Sequence, residues 1–255
     1  MSKMYYNNVD TGVIVGRVDL GLRPDSKIDE QSVAYRHGTV VLGRFYHSRP
    51  ILVTGYLMGD DSNDFRSKLD FLNKALDSDK ALPLRFTARY PDRYWLALLE
   101  GESPLNQRNT GGAFELTFIA PDPLAYALDV TETVYTITQS PQEIFHEGGG
   151  SGVASPSIYI ENFSETNVTS VGLEFEEVGA VLTWGGTLAQ GDILWVDTER
   201  MLVKVSTDGG VTWAASMTGL GDLHVFPSLS PDMNTINVTG VETGELKLEY
   251  RKRYL

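Results

Sequence analysis

The chain has 255 residues, no cysteine, and 21 Lys plus Arg against 34 Asp plus Glu, for a formal net charge of −13. Disulfides, thiolate nucleophiles and cysteine-ligated zinc are excluded at once. The charge speaks against a sequence-independent DNA or RNA binder, which neutralises phosphates with clustered cations.

The first ten residues are polar and aromatic, with no apolar core of a leader, so no secretory signal is expected. No apolar run approaches the ~18 residues that a spanning helix needs. Synthesis in a cytosol and no membrane partner are the expectations. Next come short runs that alternate apolar and polar residues: Val13–Leu20, Thr39–Tyr46, Ile51–Leu57, Pro83–Thr87, Tyr94–Glu100 and Phe114–Phe118. Val, Ile, Thr and aromatics dominate them, as a half-buried pleated surface prefers. The fold class predicted is mostly β and antiparallel.

Leu20–Gly38 interrupts the first two runs with a polar stretch too long for a turn. An arm or loop that orders on assembly is expected there. A second interruption is helical: Phe65, Leu69, Leu72 and Leu76 recur on one face, predicting a helix over about Asn63–Asp77. Asp61 and Ser62 can cap it, Asp64 sits in the first turn, and Asp70 and Lys74 are spaced to pair. The cluster Asp60–Asp64 resembles a calcium loop, but neither register supplies the required Gly and Glu, so a cap is the better reading.

Gly148-Gly149-Gly150-Ser151-Gly152 reads as a flexible connection or a long loop near a domain boundary. Charge shifts across the same region. Residues 1–133 hold 15 cations and 18 anions, and residues 134–255 hold 6 and 16. Two domains are expected, 1–135 and 136–255. Alternating runs resume at Ser157–Glu161, Val171–Glu176, Val181–Trp184, Ile193–Asp197, Leu202–Ser206, Thr235–Thr239 and Leu246–Tyr250.

Four features invite a chemical reading. Ser206-Thr-Asp-Gly-Gly-Val-Thr-Trp213 matches the Asp box of sialidase propellers, yet it occurs once and is expected to be a hairpin tip. The four histidines, His37, His47, His146 and His224, lie too far apart for a metal motif and read as isolated surface residues. Trp184, Trp195 and Trp213 could form a sugar-stacking platform, with core packing as the commoner use of such residues. The carboxylate excess leaves a glycosidase pair open, but nothing selects one pair. No phosphate loop, dinucleotide fingerprint or nucleophile elbow is present.

The order of elements resembles the distal tail (Dit) family of long-tailed, non-contractile phages. The segments carrying the resemblance are the Gly16-Arg17 strand with its polar loop, Arg49-Pro50-Ile51-Leu52-Val53, the single helix, Ala81–Phe86, Tyr94-Trp95 and Phe118–Tyr126. In the second half they are Ala154–Asn162, Gly191-Asp192 through Asp197-Thr198, Phe226–Ile236 and Glu249–Leu255. Asp232 stands where the family usually has Gly.

The resemblance implies two β-sandwich-type domains. The first carries one α-helix and an extended hairpin or arm, and the second is galectin-like or carbohydrate-binding-like. It implies a homo-hexameric ring at the virion tail tip, through which DNA passes, joining the tail tube to the host-adsorption apparatus. Implied partners are the major tail tube protein, the tape measure protein and a tail-associated or receptor-binding tip protein. No enzyme, cofactor, catalytic residue or metal is implied. The residues expected at the ring interface are Arg23, Lys27, Arg36, Arg44 and Arg49, chosen for the polarity and length of their segment. The alternative is a carbohydrate-binding module for host-wall glycans.

Overall fold

The computed structural model describes residues 2–32, 37–221 and 225–255. The chain divides into two compact units, the first ending at Leu128 and the second starting at Asp129.

In the first unit the strands are β1 (Ser2–Tyr6), β2 (Val9–Asp19), β3 (Ser26–Ser32), β4 (Thr39–Tyr46) and β5 (Arg49–Met58). Helix α1 (Ser62–Leu76) follows, then β6 (Leu82–Phe86), β7 (Tyr90–Glu100), β8 (Leu105–Arg108), β9 (Gly111–Ala120) and β10 (Ala125–Ala127). Within the first unit the strands of the main sheet run in the order β10-β7-β6-β1-β2-β5-β9-β8, and β7 also pairs with β9. That extra pairing, Leu98 opposite Ile119 and Glu100 opposite Thr117, closes the sheet on itself. The result is a barrel, the closed form of two-layered β packing.

Alternation explains the barrel core. Ile51, Val53, Leu57, Leu116 and Phe118 point inward from β5 and β9, joined by Met4, Tyr6, Leu84, Phe86 and Trp95. The Tyr6 hydroxyl donates to Ala97 O at 3.0 Å, so its polar end is satisfied inside.

The helix forms where its spacing predicts. Asp61 is its cap, with one carboxylate oxygen accepting from the amides of Asn63 and Asp64 at 2.8 Å each. Phe65, Leu72 and Leu76 are buried against β2 and β5. The expected Asp70–Lys74 pair does not form, and the helix carries Asp64–Lys68 instead, at 2.7 Å. Asp64 is held below the usual carboxylate range by that lysine and by the Asp60 amide.

The second unit contains β11 (Thr131–Ile137), β12 (Gln142–Glu147), β13 (Ser157–Asn162), β14 (Val168–Phe175) and β15 (Ala180–Leu188). It continues with β16 (Ile193–Asp197), β17 (Leu202–Ser206), β18 (Ala214–Ala215), β19 (Met233–Thr239) and β20 (Gly244–Tyr250). One sheet has the order β11-β20-β13-β16-β17-β18 and the other β12-β19-β14-β15. Their inner faces share a core that includes Ile160, Leu173, Phe175, Trp184, Leu194, Ile236 and Leu246. This is a β-sandwich.

Three expectations change here. The boundary falls at 128/129 and not at 135/136, because β11 pairs along its whole length with β20 of the second unit. The glycine segment lies inside that unit and is tied down. Gly148 and Gly149 donate to Asp232 O and Pro231 O, and Ser151 and Gly152 both donate to Arg253 O. Gly149 and Gly150 have φ of 69° and 83°, and a Cβ on Gly150 would sit 2.5 Å from Arg253 O, so glycine is required by fit. Finally, Leu20–Gly38 is not structureless, since β3 occupies its middle and pairs with β4.

Candidate functional site

Of the interface residues expected from sequence, Lys27 and Arg44 lie on the β3–β4 hairpin, and Arg23 and Arg49 lie beside it in sequence. This hairpin forms a two-stranded sheet that pairs with no other strand among the described residues. Its register sets Ser26 opposite Tyr46, Lys27 opposite Phe45 and Ser32 opposite Thr39, with an irregularity between Asp29 and Glu30. At its base the His47 amide donates to Asp25 O at 2.8 Å. His37 and His47 are exposed, as the surface reading expected.

Both faces of the hairpin meet solvent. Ile28 is 53% exposed, Val41 61%, Leu42 60% and Phe45 62%. Leu22, just before it, is 94% exposed. A lone two-stranded hairpin is marginal in water, and large apolar side chains gathered on one small element mark a contact surface. The sequence reading chose cations here and passed over these apolar residues. Their signal was the run Val40-Val41-Leu42, which lacks the alternation of a half-buried strand.

The five expected residues separate into distinct roles. Arg23 and Lys27 are exposed. Arg44 lies along the hairpin: its guanidinium donates twice to Ser26 Oγ, at 3.0 and 2.9 Å, and sits 5.3 Å from the Tyr46 ring centre. Arg36 lies outside the described residues. Arg49 is turned inward and only 3% exposed. It donates to Leu20 O and Gly21 O at 3.1 Å each and to Pro123 O at 3.4 Å. Arg49 therefore fixes the root of the arm and does not present a surface of this chain. The physical reason is that three carbonyls converge where the chain leaves β2, and a guanidinium fork satisfies all three.

The second unit tests the tryptophan platform. Trp184 is 1% exposed and packs in the sandwich core, its Nε1 donating to Ser216 O and Oγ. Trp195 lies on the outer face of the larger sheet in a row set by register: Val134, Lys247, Tyr159, Trp195, Lys204. Tyr159 and Trp195 stack at 6.1 Å with an 8° interplanar angle. Lys247 Nζ sits 4.4 Å from the Tyr159 ring centre and Lys204 Nζ 4.9 Å from that of Trp195. The row thus closes the faces of both inner rings. Burial and the Glu249 carboxylate push the Tyr159 phenol up to about 12.

Trp213 arrives from the Asp-box turn and meets both rings edge-on, 6.2 Å from Tyr159 and 5.4 Å from Trp195. The turn is the hairpin tip predicted, between β17 and β18. Asp208 accepts from the Val211 and Thr212 amides and from the Thr212 and Ser206 hydroxyls. Those donors, the Thr212 hydroxyl and amide first, lower its carboxyl to about 2. Gly209 and Gly210 take φ of 70° and 91°.

His146 departs from the surface reading and is buried. Its Nδ1 is 2.7 Å from the Tyr135 hydroxyl and its Nε2 3.0 Å from the Tyr250 hydroxyl. The Tyr250 hydroxyl donates to Gly148 O at 2.8 Å, so it accepts from Nε2–H, and Nδ1 accepts from Tyr135. Burial lowers the His146 pKa. No group of three or more His, Asp or Glu side chains is arranged to hold a metal among the described residues. No helix among them is long and apolar enough to cross a membrane.

Residues 7–120 match the family described as "Phage tail protein RIFT-related domain". The match falls within the first unit. Over its whole length the chain shares its fold with phage SPP1 Dit, described as "a paradigm of hub adsorption apparatus in Gram-positive infecting phages". That match has 18% identity, full coverage of both chains and a TM-score of 0.79. A chain of the phage P2 baseplate in its activated conformation with Ca matches at 10% identity, 98% and 97% coverage and a TM-score of 0.54. The same baseplate with Sr gives 10%, 97% of each chain and 0.51. A comparison with curated proteins finds no match. The whole chain thus has the fold of SPP1 Dit, the fold that the sequence resemblance implied.

Proposed function

We propose that this chain is a distal tail hub subunit, whose copies join through the β3–β4 arm into a ring between the tail tube and the tip complex. The observation that carries the reading is the hairpin itself, a self-contained element with Ile28, Val41, Leu42 and Phe45 exposed. Such an element gains order by docking on a neighbouring copy. The tail-domain family and the SPP1 Dit fold support the setting. The ring is a hexamer in this reading, with the tube protein on one side, a tip protein on the other and the tape measure protein within. The protein is made in the host cytoplasm, carries no catalysis and ends in the virion tail.

The test is mass by light scattering over rising concentration, with negative-stain images of the same samples. Closed rings of six subunit masses are expected. A Leu42→Asp/Phe45→Asp variant should keep the fold of the barrel and remain monomeric. A wild-type chain that stays monomeric at high concentration, or a variant that assembles equally well, refutes the arm-mediated ring.

A further inference from the structure

The outer face of the larger sandwich sheet holds a cavity of about 570 Å³ beside the aromatic row. Trp213 and Tyr159 form its apolar wall, and Glu132, Glu161, Glu245 and Lys247 supply its polar lining. Glu161 and Glu245 are directly opposed across β13 and β20. Directly opposed residues of an antiparallel pair have Cβ atoms about 5 Å apart, so two carboxylates stand side by side. Burial and Glu245 raise the Glu161 carboxyl above its usual range. Lys247 is already engaged, its ammonium 2.7 Å from Glu249 and seated over Tyr159.

We propose that this cavity binds one residue of a neutral polysaccharide, with the sugar's C–H face on Trp213 and its hydroxyls donating to Glu161 and Glu245. Three observations select this occupant. An apolar ring beside convergent acceptors matches a molecule with one hydrophobic face and a rim of donors. Paired acceptors at close range are relieved by hydroxyl donors and repel a carboxylate or phosphate ligand. The wall is rigid before binding: the Asp208 hydrogen bonds fix the turn that carries Trp213, so little ordering cost opposes a small ligand. The Asp-box motif thereby acquires a use as the mount of a binding residue. The site differs from the three-tryptophan platform, because Trp184 is in the core and the faces of Trp195 are covered.

The proposal is independent of the hub reading, and the two fail separately. Saturation-transfer NMR on the full chain would use tetra-N-acetylchitotetraose and maltotetraose as neutral probes, with trigalacturonate as the acidic comparison and tetralysine as a cationic competitor. Transfer to at least one neutral probe is expected, with none to trigalacturonate. Trp213→Ala should reduce the signal at least tenfold, Trp213→Phe should restore most of it, and Glu161→Gln/Glu245→Gln should weaken binding at least fivefold. Near-UV circular dichroism of the core Trp184 reports folding of each variant, and the paired glutamine variant serves if Trp213→Ala unfolds. Absence of transfer to both neutral probes overturns the proposal. So does equal binding of trigalacturonate, displacement of the sugar by micromolar tetralysine, or a signal that survives in a folded Trp213→Ala. Ring formation by light scattering should be unchanged throughout.

Discussion

At the scale of single residues, two buried polar side chains show how the fold answers a polar group with specific partners. Arg49 is held by three carbonyls, and His146 is held between two tyrosines as a neutral donor and acceptor. The His146 arrangement sets a pH dependence. Its folded pKa lies below the unfolded value, so its contribution to stability is complete above about pH 6.5 and is lost as pH falls through the unfolded pKa toward the folded one. Protonating Nδ1 turns an acceptor into a donor facing the Tyr135 hydroxyl. The second unit should therefore lose urea resistance between pH 7 and pH 5. His146→Gln should flatten that dependence, at the cost of lower stability at pH 7. A His146 NMR titration with an ordinary midpoint would contradict this account.

At the scale of elements, legibility in the sequence follows one-sided burial. Strands with one face in a core, such as β5, β9, β16 and β20, show clean alternation and fall where they were predicted. Strand β3 was missed because Lys27-Ile28-Asp29-Glu30-Gln31-Ser32 is solvated on both faces and leaves no period. Strand β8, exposed throughout, was missed for the same reason. Arg49 was placed on the surface because nothing in sequence marks the carbonyls that surround it. The cavity's Glu161–Glu245 pair was hidden because strand register, unavailable from sequence, brings them together. The glycine run misled in the opposite direction, since four glycines within five residues suit a tight fit as well as a linker. Gly150→Ala discriminates these readings. A linker would tolerate it, whereas here it should destabilise the second unit by about 1–3 kcal/mol, measured by urea unfolding, because φ of 83° and the Arg253 carbonyl both oppose a Cβ.

At the scale of the whole molecule, the chain divides into two compact units, each with buried apolar residues of its own. A fragment of residues 129–255 should fold alone, with the near-UV signature of a buried Trp184 and a single cooperative transition. A fragment lacking both would show that the sandwich depends on the barrel. The largest consequence comes from the hairpin. The barrel closes its sheet through β7 and β9, while among the described residues β3 and β4 pair only with each other. An arm received by a different patch on the next copy gives each molecule a valence of two. Bivalent links admit two outcomes, open chains or closed loops, and no branched network. The last bond of a loop is intramolecular, so dilution favours closure and crowding favours chains. In the proposed ring, the amount of protein thus selects architecture as well as rate.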